Sequence, residues 1–88
     1  MAWFVYILRC ENGDLYTGVT IDPQRRFKEH RTGCGGRFTR AFRPVQLAYQ
    51  ERCANEREAK RREAQIKTWS RRKKLALISG DRQMLKSA

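Results

Sequence analysis

Acidic residues are scarce in this chain. Its 88 residues carry nine Asp and Glu against 20 Lys and Arg, a formal net charge of +11. It has one histidine, His30, and three widely spaced cysteines, Cys10, Cys34 and Cys53. An odd count without a CxxC pair argues against a disulfide framework and against a zinc knuckle. His30 and Cys34 have a ligand-like spacing, but no second pair completes a tetrahedral site. No apolar stretch approaches the roughly 18 residues of a membrane span. The N-terminal apolar run ends at Arg9 with no basic region before it, so it does not read as a signal peptide. Linkers, repeats and low-complexity blocks are absent. The length is too short for two ordinary domains of about 100–150 residues. We expect one domain over 1–80 and a frayed tail over 81–88. The cysteine usage fits a reducing, cytoplasmic setting.

What is present points to a folded polycation. The hydrophobic set makes up 40% and aromatics 10%, too much for a disordered basic tail. Such a positive charge predicts a polyanionic partner, nucleic acid first and an acidic membrane surface second. The charge is concentrated in two segments. Seven Lys and Arg face a single Glu between Arg25 and Arg43, and nine face three Glu between Asn55 and Lys74.

Residues 3–10 are apolar apart from Arg9 and of strand length, which predicts a strand buried on both faces. Asn12-Gly13 marks a hairpin, and Leu15 to Thr20 forms the returning strand. Two hairpin loops are open to this sequence. A two-residue turn pairs Glu11 with Asp14 and puts Tyr6 and Tyr16 on opposite faces. A three-residue loop with Gly13 left-handed pairs Cys10 with Asp14 and puts both tyrosines on one face. Asp22-Pro23 reads as the cap and first residue of a helix running to about Arg31. The basic segment from Thr32 to Arg43 reads as a mobile loop. Val45, Leu47 and Tyr49 alternate as a third, half-buried strand. Asn55 with Glu58 opens a helix of about 14 residues, to about Trp69. Ser70 caps a last short helix whose Leu75 and Ile78 should face inward. The order is ββαβαα, an α+β domain with a small sheet against helices.

Several residues could carry chemistry. Ala59, Glu63, Ile66 and Ser70 share one helical stripe, which turns the Glu63 carboxylate toward the protein body, where it needs a cation. That cation is either a metal or, more plainly, one of the many basic side chains. Arg26 and His30 project from one helix face at i, i+4, with Phe27 as the anchor to the sheet. An Arg fork suits a phosphate, and an imidazole one turn away can donate to it or pass a proton. A solvated basic face with His30 exposed is the plain alternative. Tyr6 and Tyr16 read as core aromatics unless the bulged loop brings them to one site. Gly18 marks a close approach within a strand. The loop containing Arg37, Phe38, Arg40 and Arg43 interleaves cations for phosphates with rings for unpaired bases.

Taken together, Val5-Tyr6-Ile7, Tyr16-Thr17-Gly18, Arg26-x-x-x-His30, Gly36-Arg37-Phe38-Thr39-Arg40, Arg43-Pro44-Val45, Arg61-Arg62-Glu63 and Ile66-Lys67 resemble the GIY-YIG nuclease superfamily. The likeness is to its small single-domain bacterial members, from about Trp3 to Ile78. Two positions depart from the pattern: Phe4 or Val5 stands for the first glycine, and Thr17 for an aliphatic. The family's late Asn has no clear equivalent. Ser70 and Lys67 are the possible stand-ins, since Asn55 comes too early.

The resemblance implies a GIY-YIG fold with a three-stranded antiparallel sheet flanked by helices. It also implies phosphodiester hydrolysis with one divalent ion, Mg²⁺ or Mn²⁺. Glu63 would be the only protein ligand of that ion, which suits magnesium's preference for keeping water. Tyr6 would take the proton of the attacking water, for which a phenol needs nearby positive charge. Tyr16 would relay or hold that hydrogen bond, Arg26 would neutralise the phosphate, and His30 would orient Tyr6 or the phosphate. Gly18, Arg25, Lys28, Arg31, Arg37, Phe38, Arg40, Arg43 and Lys67 would contact the nucleic acid, with DNA placed ahead of RNA and sequence specificity low. No membrane or small-molecule cofactor is expected. The rivals are a weak or inactive nucleic-acid-binding module and a ribosome- or protein-associated domain that binds by charge. A PD-(D/E)xK nuclease built on Glu58-Ala59-Lys60 fits poorly, because Asp22-Pro23 has the wrong order and Glu58 points away from the Ala59/Ile66 stripe.

Overall fold

The computed structural model describes residues 1–32 and 43–80. The elements are β1 (Trp3–Cys10), β2 (Leu15–Thr20), α1 (Pro23–Arg31), β3 (Pro44–Cys53), α2 (Glu56–Lys67) and α3 (Arg71–Ser79). The expected ββαβαα order is the order found. The strands form one antiparallel sheet in the order β2-β1-β3. The largely apolar β1 is the central strand because only there are both of its faces covered.

The hairpin takes the three-residue loop. The Gly13 N–H donates to the Cys10 carbonyl and the Cys10 N–H to the Asp14 carbonyl, both at 2.9 Å. Gly13 has φ of 88°, a left-handed conformation that a Cβ would strain. This loop fixes the register, so that Tyr6 lies opposite Gly18 and Leu8 opposite Tyr16. Both tyrosines therefore share a face.

The two faces of β1 serve different layers. Val5 and Ile7 join Ala59, Ile66 and Leu77 in the hydrophobic core, which lies beneath α2 and α3. Each large side chain buried there is worth about 1.5–3 kcal/mol. On the other face, Tyr6, Leu8 and Cys10 are buried, together with His30 of α1 and Pro44 of β3. The helices are capped as read: Asp22 accepts from the Arg25 N–H, Asn55 from the Glu58 N–H and Ser70 from the Lys73 N–H. Gly80, left-handed at φ 78°, stops α3.

Four expectations are corrected. Val45, Leu47 and Tyr49 do not share a face. The pairing of β1 with β3 slips at two bulges, so Leu47 sits opposite Leu8 while Tyr49 sits opposite Ile7. Val45 falls in the second bulge and is 54% exposed. The anchor of α1 is His30 with Pro23, and Phe27 is only half-buried under the Arg31 guanidinium, 5.6 Å from its ring centre. Helix α2 has 12 residues and ends at Lys67, because the Thr68 and Trp69 N–H groups turn back to Gln65 and Ile66. In α3 the buried residues are Ala76 and Leu77, and Ile78 packs against the Val5/Ile66 core as expected, while Leu75 is only half-buried.

Candidate active site

The site is built on the face of the sheet that α1 covers. Tyr6 is 1% exposed. Its ring leans across the sheet over Gly18: a Cβ placed on Gly18 would lie 2.5 Å from the Tyr6 hydroxyl and 2.6 Å from Cζ. The glycine is thus the floor that lets the Tyr6 hydroxyl reach over the edge strand β2. Tyr16, two residues along the same face, puts its ring centre 6.4 Å from that of Tyr6.

His30 comes up from the last turn of α1 and is 1% exposed. Its Nε2 lies 3.1 Å from the Tyr6 hydroxyl, the direction of the hydrogen bond following the imidazole tautomer. Its ring centre is 5.1 Å from that of Tyr16. The exposed-histidine alternative is therefore excluded. Arg26, one turn earlier, hydrogen-bonds Tyr6 and lies 3.6 Å from the Glu29 carboxylate.

This environment sets the protonation states. Burial pushes the Tyr6 phenol up to about 12, helped by Tyr16 and Glu63 and opposed by the Arg26 guanidinium. Burial, then Arg26, holds the His30 imidazole below 6.5, with Glu29 pulling the other way. At neutral pH the pair is a phenol beside a neutral imidazole. Arg26 supplies the positive charge the sequence reading asked for, but desolvation outweighs it.

Glu63 points partly inward, with its side chain 21% exposed. Its Oε2 lies 3.4 Å from Lys67 Nζ, so a basic side chain does meet this carboxylate. The pair is i, i+4 on α2 and open to solvent, a type worth about 0.3–0.5 kcal/mol. Helix α2 lies against β1 and β2 from the opposite face, and the Glu63 charge acts on Tyr6 as the weakest of its charged neighbours. Among the described residues no three of His, Cys, Asp and Glu cluster as a metal cage. A single half-exposed carboxylate still fits Mg²⁺ or Mn²⁺, which keep several waters and take oxygen from phosphate.

The basic residues fall as follows. Lys28, Arg31 and Arg43 line an open groove of about 510 Å³ together with Thr32. Arg25 is exposed on α1, and Lys67 stands beside Glu63. Arg37, Phe38 and Arg40 lie outside the described residues, as does Cys34. The two stand-ins for the late Asn separate: Ser70 is occupied as a helix cap, while Lys67 stands beside Glu63.

Sequence reasoning missed a second charged cluster on the core side of β3. Arg62 holds Glu51 through Nε at 2.9 Å and Nη2 at 3.3 Å, and the Tyr49 hydroxyl donates to Glu51 at 2.6 Å. Burial and this bond push the Tyr49 phenol up to about 12. The signal was available, since a carboxylate between Tyr49 and Cys53 on a half-buried strand requires a cation.

These residues match a known pattern. Residues 2–76 fit the model of the GIY-YIG catalytic domain. The chain belongs to the GIY-YIG family. It is 49% identical over 76 residues to a UPF0213 protein of Staphylococcus saprophyticus, covering 86% of this chain and 93% of that one. A UPF0213 protein of Desulfotalea psychrophila is 47% identical over 78 residues, covering 88% of this chain and 71% of that one. The solution structure of a UPF0213 protein from Bacillus halodurans is 43% identical, with a TM-score of 0.57 over 90% of this chain and 84% of that one. No described helix is long and apolar enough to cross a membrane.

Proposed function

We propose that this GIY-YIG protein is a divalent-metal-dependent endonuclease that hydrolyses phosphodiester bonds, with DNA as the preferred substrate and low sequence specificity. The observation that carries the reading is the convergence of Tyr6, Tyr16 and His30, with the Arg26 guanidinium on Tyr6 and the Glu63 charge in reach. Catalysis by a carboxylate pair would need a second acid, and the tyrosine site does not.

Glu63 would hold the metal, releasing Lys67. When bound, the metal stabilises charge on the leaving oxygen. Tyr6 is too weakly acidic to wait as a phenolate. It would therefore accept the proton of the attacking water as its own proton passes to Nε2 of neutral His30. Tyr16 packs against both rings and holds them in line. Arg26 would neutralise the phosphate in a partly desolvated place, where a fixed cation is worth most. Lys28, Arg31 and Arg43 would take phosphates in their groove, and Arg25 and Lys67 would add further phosphate contacts outside it. Arg37, Phe38 and Arg40 complete the proposed contacts and favour single-stranded or branched substrates.

A weak or inactive binding module is the second reading, favoured by the Lys67 ammonium on Glu63. Cleavage of labelled single-stranded, duplex and branched DNA and RNA, with Mg²⁺, Mn²⁺ or EDTA, separates the two. Metal-dependent scission that disappears in Glu63→Ala and Tyr6→Phe supports the enzyme. Binding without scission, or a Glu63→Ala protein as fast as wild type, supports the module.

A further inference from the structure

Helix α3 opens with Arg71, Arg72, Lys73 and Lys74, and has no acid in its first turn. That is where the helix dipole disfavours cations, by about 0.3–1 kcal/mol each, so helix stability does not explain them. Lys73 lies over the Trp69 ring at 4.3 Å, with Arg62 5.1 Å from the same ring centre. Arg71 and Lys74 point elsewhere. They sit at i, i+3 on one face and line a groove of about 230 Å³ with Asp14 and Leu15, where β2 begins. Arg71 Nη2 comes within 3.8 Å of the place a Gly13 Cβ would occupy. Neither cation forms an ion pair with a described residue. The one acid in the groove, Asp14, takes a hydrogen bond from the Asn12 side-chain amide at 3.0 Å.

The groove opens at the start of the strand that floors the candidate site. Leu15 is three residues from Gly18 along β2, about 10 Å at the rise of a strand, and faces the core side, so a strand joining the groove to the site turns around the β2 edge. A stacked nucleic acid strand carries one phosphate per about 3.4 Å, so the interval is at least about three phosphates. The Lys28/Arg31/Arg43 groove meets the same end of the sheet from the other edge, where the Glu11 N–H donates to the Arg43 carbonyl at 2.8 Å.

We propose that Arg71 and Lys74 form a second phosphate-binding groove, which holds the nucleic acid strand at least about three nucleotides from the reacting phosphate. This rests on the nuclease reading and adds the path of the substrate. It makes the start of β2 a docking edge and assigns α3 a role beyond closing the core.

The test is binding of a labelled oligothymidylate in EDTA, followed by fluorescence anisotropy between about 50 and 200 mM NaCl. The full chain is compared with Arg71→Ala/Lys74→Ala. The control is Arg57→Ala/Lys60→Ala, which removes two cations from α2, one of them already paired with Glu56. The Arg71/Lys74 variant should bind roughly tenfold more weakly at low salt, with its salt slope reduced by about 1.4 for two single-strand contacts. Its melting temperature should stay at the wild-type level. A variant whose affinity and slope match those of the control overturns the groove alone. A wild-type chain that binds no oligonucleotide overturns the groove and the nuclease reading together.

Discussion

Gly18 lies directly beneath the hydroxyl of Tyr6, so close that a single methyl on the glycine would sit 2.5 Å from the oxygen. The strand register makes these residues partners, and the glycine leaves the space into which the phenol leans. Because Gly18 has ordinary strand backbone, Gly18→Ala should fold. Its methyl must instead displace the Tyr6 ring and break the 3.1 Å contact with His30. A misplacement of about 1 Å can cost on the order of 100-fold in rate. We expect that loss in cleavage, with an unchanged circular dichroism spectrum and a shifted Tyr6 ring signal by NMR. Wild-type cleavage by the variant would separate Tyr6 from the chemistry.

His30 should make both stability and rate fall in acid. In the unfolded chain its imidazole binds a proton near pH 6.5, while in the folded protein burial and Arg26 hold it lower. The folded state therefore binds fewer protons between those two values. The contribution is complete above about pH 6.5 and is lost as pH falls through that window, by at most about 1.4 kcal/mol per pH unit. Urea midpoints measured from about pH 7.5 down to 5 should fall for the wild type and flatten for His30→Phe. If His30 accepts the Tyr6 proton, cleavage should drop at the lower end of that window, where the folded imidazole itself takes up a proton. A rate independent of pH there would remove His30 from the relay.

The sequence carried the architecture and the pairing of the tyrosines as a fork, which a single residue resolved. Gly13 could close either of two loops, and only the backbone shows which one formed. Caps at Asp22, Asn55 and Ser70 were readable because each is a local side-chain-to-backbone bond. The bulges in β3 were not, because they answer to the neighbouring strand and not to the alternation of Val45, Leu47 and Tyr49. His30 was underestimated for a similar reason. Its helix is almost wholly polar, so periodicity offered only Phe27 as an anchor, and the phenol that makes burying an imidazole tolerable comes from 24 positions earlier. The Glu63 stripe was legible, but the sequence left its partner open between a metal and a basic side chain.

Lys67 and Glu63 give a pair of opposite expectations. Lys67→Ala removes the ammonium that lies on the carboxylate, so less Mg²⁺ should be needed for half-maximal cleavage. Exposed pairs are worth about 0–1 kcal/mol, which limits that gain to about fivefold. Glu63→Gln keeps the shape and removes the charge. It should lose several kcal/mol of metal-borne stabilisation, on the order of 1,000-fold in rate, with its melting temperature nearly unchanged. Metal titrations of cleavage check both, and a Lys67→Ala protein that needs more metal would mean that the Lys67 ammonium does not compete with the metal for Glu63.

Thr17, the departure from an aliphatic in the second tripeptide, leaves a mark in the core. It is buried opposite Ile7, on the face that α2 covers, and its hydroxyl finds no hydrogen-bond partner among the described residues. An unsatisfied buried hydroxyl costs about 1–3 kcal/mol, while valine has the same shape and also favours a strand. Thr17→Val should therefore raise stability by about 1 kcal/mol, a shift of roughly 4–8 °C in melting temperature for a domain of this size. Tyr16 and Gly18 on either side point to the opposite face, so cleavage at a fixed temperature should not change. Calorimetry of the two proteins decides the matter: a Thr17→Val chain that melts earlier would mean that the hydroxyl has a partner and that the family's aliphatic was given up for it.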